Sequence, residues 1–94
     1  MANEGKERIA ADRGAKASAL LQNDLLQEAF TKIEETLLTE WKKTTSEDSQ
    51  TREDAWRSYK LLQNLKGYLS KIVTDGNTAN TLLQIKKPSI FNRN

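Results

Sequence analysis

The chain has 94 residues, 36% of them hydrophobic and 30% charged, with a formal net charge of +2. A chain this short makes one small domain, or less than one with tails, and buries a smaller share of its surface than a larger domain does. It has no cysteine and no histidine. That excludes disulfides and thiolate metal sites, and it removes the commonest general base and the commonest metal ligand.

The lack of cysteine is compatible with a reducing, intracellular setting. No apolar run approaches 18 residues, so no membrane span is expected. The N-terminus lacks the apolar core of a signal peptide. With so lean a core, oligomerisation is the expected remedy.

In chain order, residues 1–22 read as a partly helical N-terminal arm. Its apolar content is Ile9, Ala10, Ala17, Leu20 and Leu21, a thin stripe, and Gly14 weakens it by roughly 1 kcal/mol relative to alanine. Such a helix frays alone in water, so it docks on something or remains mobile. Asn23-Asp24 marks a boundary, where Asp24 with Gln27 resembles a capping box. Either a new helix begins there or one long helix runs through with a kink.

From Leu25 the apolar positions Leu26, Phe30, Ile33, Leu37 and Trp41 follow spacings of 4, 3, 4 and 4. That puts them on one helical face, widened by Ala29 and Leu38. Glu28 and Lys32 are spaced for an i,i+4 pair, and Lys42 and Lys43 complement the C-terminal dipole. Residues 42–50 contain no aliphatic or aromatic side chain and read as a polar turn. Thr51 is the expected cap of the next helix, with Glu53 and Asp54 in its first turn.

The second helix carries Ala55, Trp56, Tyr59, Leu62, Leu65, Leu69, Ile72 and Val73, and Leu61 and Tyr68 broaden its stripe. A face that wide contacts more than one neighbour. Gly67 inside this helix suggests close approach of another helix. Asp75-Gly76 is the expected end, with Gly76 suited to the left-handed C′ position. Residues 77–84 then read as a short helix, and Lys86-Lys87-Pro88 starts an extended tail.

The charges divide by helix. Residues 23–43 hold five acids and three bases, and residues 51–75 hold five bases and three acids. This favours pairing of the two helices modestly and in a salt-dependent way. Glu34, Glu35 and Glu40 read as a solvated face, because adjacent helical positions diverge and helical di-metal sites use histidine. Arg52, Arg57, Lys60, Lys66 and Lys71 give the second helix a basic side, but interleaved acids blunt it as a phosphate-binding footprint. Isolated glycines exclude a phosphate loop. Trp41 and Trp56 flank the turn, either as anchors for a partner or packed on each other and on the adjacent helix to close the hairpin.

The run NDLLQEAFTKIEETLLTEWKKTTSEDSQTREDAWRSYKLLQNLKGYLSKIVTDGNTA spans residues 23–79. Its pattern is a leucine–phenylalanine helix ending in Trp41-x-x-Thr44, an acidic turn, Arg52-Glu53 opening a helix with an aromatic at the next turn, and Gly76-x-x-Ala79. It resembles a group of short, uncharacterised helical proteins of tailed bacteriophages and prophages. The resemblance implies a setting of virion assembly, genome packaging or interference with the host. The extension from Leu82 to Asn94 departs from that pattern.

The expected architecture is all-α: an arm over 1–22, a long antiparallel helical hairpin over 23–76, and a short helix with an extended C-terminal tail over 77–94. The expected function is non-enzymatic: a self-associating hairpin that joins neighbours in a virion shell, connector or scaffold, located in the virion or the bacterial host cytoplasm. It needs no cofactor or metal. Its partners are further copies of itself and other phage structural proteins. The alternatives are a nucleic-acid-binding packaging subunit resembling a small terminase ring, and a small inhibitor of a host protein. The expected interface residues are Leu26, Phe30, Ile33, Leu37, Trp41, Trp56, Tyr59, Tyr68 and Leu69. Lys86, Lys87, Ile90 and Phe91 are expected to dock the tail.

Overall fold

The computed structural model describes residues 2–85, in three helices: α1 (Ala2–Leu21), α2 (Asp24–Lys43) and α3 (Ser49–Ile85). The fold is all-α, with no strand among the described residues. It divides into two units, one of residues 22–68 and one of residues 1–21 with those from Leu69 onward.

In the first unit, polar side chains set the helix ends. Asn23 is the N-cap of α2, and its Oδ1 accepts the Leu26 N–H at 2.9 Å. The Gln27 N–H donates to the Asn23 carbonyl at 3.0 Å. The cap therefore lies one residue before the expected Asp24–Gln27 box. Asp24 takes the first helical position, where its charge suits the dipole. At the other end the Thr44 N–H and hydroxyl both donate to the Trp41 carbonyl, at 3.1 and 2.6 Å. Lys42 and Lys43 occupy the last turn as expected.

The loop closes through Asp48, whose carboxylate accepts the Thr45 N–H at 3.0 Å and its hydroxyl at 3.2 Å. The Asp48 carbonyl takes the Arg52 N–H at 2.9 Å, so α3 starts at Ser49 and not after a Thr51 cap. Glu53 and Asp54 consequently fall beyond the first turn. The i,i+4 pair expected at Glu28–Lys32 is not among the ion pairs of the described residues; Glu53–Arg57 forms one at 2.8 Å.

Helix α2 and the first part of α3 pack antiparallel. Passing back along α2 and forward along α3, Trp41 meets Arg52, Glu34 meets Gln63 and Lys66, and Phe30 meets Lys66. Phe30, Ala55 and Leu62 are the buried apolar residues here. Three such side chains make a thin seam. Truncating one fully buried phenylalanine typically costs about 3–5 kcal/mol, so Phe30 dominates it.

In the second unit α1 packs against α3 through residues without bulk. Gly14, Ala17, Gly76 and Ala79 are buried. A Cβ placed on Gly14 would lie 2.7 Å from the Gly76 Cα and 3.2 Å from the Ile72 carbonyl oxygen. One placed on Gly76 would lie 2.7 Å from the Gly14 Cα and 3.0 Å from the Ala10 carbonyl oxygen. The two backbones touch, antiparallel, as small-residue helix crossings allow. The larger apolar residues of the arm, Ile9 and Leu20, remain exposed.

Gly76 therefore does not end a helix. No glycine has positive φ, and α3 continues unbroken to Ile85, with no separate short helix at 77–84. The reason is tertiary: the docked arm needs backbone bare of a Cβ there, and this contact offsets glycine's poor helix propensity. The close approach expected at Gly67 is absent, since nothing comes within 4 Å of a Cβ built there. Residues 86–94 lie outside the described residues.

Candidate interaction surface

The α2–α3 pair has two sides. On one, Leu37, Leu38 and Trp41 of α2 meet Ala55, Trp56 and Tyr59 of α3 around an apolar cleft of about 290 Å³. Trp56 stacks on Tyr59, with centroids 6.2 Å apart and planes at 18°. Trp41 lies beneath the Arg52 guanidinium at 4.5 Å, and the Lys60 ammonium sits 5.7 Å from the Trp56 ring. The two indoles thus line one cleft, but each pairs with a residue other than its fellow. Arg52 also donates to the Thr44 hydroxyl at 3.2 Å. Neither Arg52 nor Lys60 has a carboxylate in ion-pair range among the described residues.

On the same side Glu34 accepts from the Gln63 amide and from Lys66 Nζ at 3.4 Å. Lys66 also lies 5.7 Å from the Phe30 ring. The Glu34 and Lys66 side chains are 24% and 31% exposed. This corrects the expectation that Glu34 belongs to a solvated face, while Glu35 and Glu40 are exposed. The line of α2 that meets α3 is Phe30, Glu34, Leu37 and Trp41, so Ile33 turns aside and stays 47% exposed. Either position fits a 3.6-residue period; packing selected the carboxylate, which finds two donors across the pair.

The opposite side carries large exposed apolar side chains, with the exposed acids Glu40 and Asp54 on it toward the α2–α3 loop. Leu61, Leu65 and Tyr68, with Ser58 and Asn64, line a shallow depression over Leu62. They are 70%, 49% and 59% exposed. Glu34 and Leu38 mark the cleft side of α2, and Gln63 and Trp56 mark it on α3. Stepping 100° per residue, Ile33, Leu61, Leu65 and Tyr68 fall on the other side of both helices.

Of the nine expected interface residues, Ile33, Trp41, Trp56 and Tyr68 are exposed, and Leu26, Leu37, Tyr59 and Leu69 are half-buried. Phe30 is buried at 4% exposure and belongs to the core of the pair, not to a free surface. Leu38, Leu61 and Leu65 are exposed large side chains that the expected set omitted. Their signal was the excess width of both apolar stripes. Lys86, Lys87, Ile90 and Phe91 lie outside the described residues.

The basic side of α3 is largely neutralised. Arg57 pairs with Glu53 at 2.8 Å, Lys66 with Glu34, and Lys71 with Asp75 at 2.9 Å. No grouping of three or more potential metal-ligating side chains occurs among the described residues. No helix there is long and apolar enough to cross a membrane. The fold and surface thus define an all-α chain of antiparallel helix pairs with large apolar side chains outside. No protein-family model matches it, and no curated protein or solved structure shows significant similarity to it.

Proposed function

We propose that this chain is a non-enzymatic assembly protein whose α2–α3 pair joins subunits by apolar contact. The setting proposed is that of the tailed-phage and prophage proteins which residues 23–79 resemble: a shell, connector or scaffold subunit, in the virion or the bacterial cytoplasm. One observation carries the reading. The pair buries few apolar side chains yet leaves Ile33, Leu38, Trp56, Leu61, Leu65 and Tyr68 more than 40% exposed, on both of its sides. Apolar surface on that scale marks a contact site, and small scaffolds gain stability by association.

The test is solution mass by light scattering after size exclusion, at low and at high salt. A discrete oligomer that persists in high salt is expected. A folded monomer at tens of micromolar would refute the reading. The ion-paired state of Arg57, Lys66 and Lys71 weighs against the packaging-subunit alternative, which predicts steeply salt-dependent DNA affinity.

A second reading, a module that captures a different protein, is favoured by the cleft. Its apolar floor and the carboxylate-free cations Arg52 and Lys60 suit an apolar anchor flanked by acids. Titration with an acidic amphipathic peptide, followed by the emission of Trp41 and Trp56, separates it from pure self-assembly.

A further inference from the structure

We infer that the cleft between α2 and α3 seats an acidic amphipathic helix of a different protein, recognised by its register: an apolar anchor over the cleft, with a carboxylate about one turn away on each side of it. This rests on the second reading above, capture of a different protein, and specifies the partner's sequence pattern.

The first argument is charge complementarity. Arg52 and Lys60 stand four residues before and four after Trp56, so they bracket the cleft along α3 with about 12 Å of helix between them. Arg52 donates to the Thr44 hydroxyl and lays its guanidinium over Trp41, and the Lys60 ammonium lies against Trp56. Neither has a carboxylate in ion-pair range among the described residues. By helical position the acids on this side are Glu34 and Glu53. Each is already matched, Glu34 by Lys66 and Gln63 and Glu53 by Arg57. In the loop the Asp48 carboxylate is turned onto Thr45, and Glu47 is exposed. Exposed Lys42, beyond Leu38 on the outer edge of α2, adds positive charge. Two cations at the ends of an apolar floor call for two carboxylates with an apolar group between them. Charges placed this way fix register and reject wrong partners.

The second argument is shape. At about 290 Å³ the cleft sits at the lower limit of the roughly 300–1,000 Å³ of small-molecule pockets, and it suits one or two anchor side chains of a helix laid in a groove. Gly67 falls on the same line of α3 as Trp56 and Lys60, four and then seven residues on. Nothing comes within 4 Å of a Cβ built there, whereas at Gly14 and Gly76 a second helix backbone fills that space. A helix lying along the cleft closes on Gly67 in the same manner and offsets its poor helix propensity.

The third argument excludes a second copy as the occupant. A facing helix meets Arg52 and Lys60 with acids seven or eight positions apart, and its anchor falls three or four positions after the first acid. Five acid pairs of this sequence have that separation, from Glu4–Asp12 to Glu47–Asp54. Their anchor positions hold only Glu, Arg, Thr, Lys or Gln. The pattern must come from another chain.

The experiment titrates the full chain with end-capped helical peptides that lack tryptophan, following the emission of Trp41 and Trp56. The first peptide carries Glu at i and i+8 and Leu at i+3 and i+4. The second has the same composition with both Glu moved to the opposite face. Two more replace one or the other Glu of the first by Lys. The first is expected to bind about 10-fold or more tighter than the second. Lys60→Glu should weaken the first peptide by about 10-fold, and one of the two Lys peptides should regain the loss. Lys60 is exposed, so its replacement leaves the helices intact, which circular dichroism checks. If Lys60→Glu loses helicity, Lys60→Gln takes its place, with a loss of about 3-fold expected.

Equal affinity for the first two peptides, or full affinity of the folded Lys60 variant for the first, would overturn the register and leave the capture reading standing. No saturable change with any peptide up to about 1 mM would overturn both.

Discussion

Replacing Gly76 with alanine tests the packing of α1 on α3. In an exposed helix interior the change stabilises by about 1 kcal/mol, because alanine loses less backbone entropy. Here the added methyl would lie 2.7 Å from the Gly14 Cα and 3.0 Å from the Ala10 carbonyl oxygen. Carbon atoms settle near 3.5–4.0 Å, so the helices must part by about 1 Å. The obstacle is backbone on both sides, and no side chain can swing away. Overpacking costs about 1–3 kcal/mol, and a rigid neighbour places this site at the upper end. Subtracting the propensity gain leaves a net loss of about 1–2 kcal/mol. Gly14→Ala meets the same wall, with Gly76 Cα at 2.7 Å. Gly67→Ala is the internal control, since nothing lies within 4 Å of its Cβ. It should stabilise by about 0.5–1 kcal/mol. Thermal melts at one fixed protein concentration read the sign directly. At about 4–8 °C per kcal/mol for a chain of this size, the two classes should move apart by roughly 10 °C. Equal shifts in the same direction for Gly76→Ala and Gly67→Ala would refute the close crossing.

Two further substitutions test the α2–α3 pair. Asn23→Ala removes the acceptor for the Leu26 N–H and should destabilise by about 1 kcal/mol, while Asn23→Asp keeps it; urea melts of the two variants check this. A double-mutant cycle with Glu34→Ala and Lys66→Met should give a coupling of about 1 kcal/mol, discounted because both side chains are about a quarter or more exposed. The surface pair Glu53–Arg57 should give roughly 0.3–0.5 kcal/mol in the same assay. Coupling no larger at Glu34–Lys66 than at Glu53–Arg57 would show that the cross-helix contact is incidental.

The sequence by itself determined the all-α class and the polar loop between α2 and α3, and it marked the boundary at Asn23. Those features are local: apolar residues recur at a helical period, and Asn23, Thr44 and Asp48 satisfy backbone groups within a few residues of themselves. Even there, the caps sit one or more residues from where propensity placed them, because neighbouring polar residues compete for the same N–H groups. Tertiary structure alone decided what each glycine is for. Gly14, Gly67 and Gly76 look alike in sequence, and only the arrival of a second backbone separates a contact point from a mid-helix weakness or a stop. Packing also decided that Glu34 and not Ile33 faces α3. A helical stripe fixes which residues share a face to within one position, and the partner helix chooses between neighbours. The same choice left Ile33, Leu61, Leu65 and Tyr68 outside the pair, because two helices cannot cover stripes as wide as these.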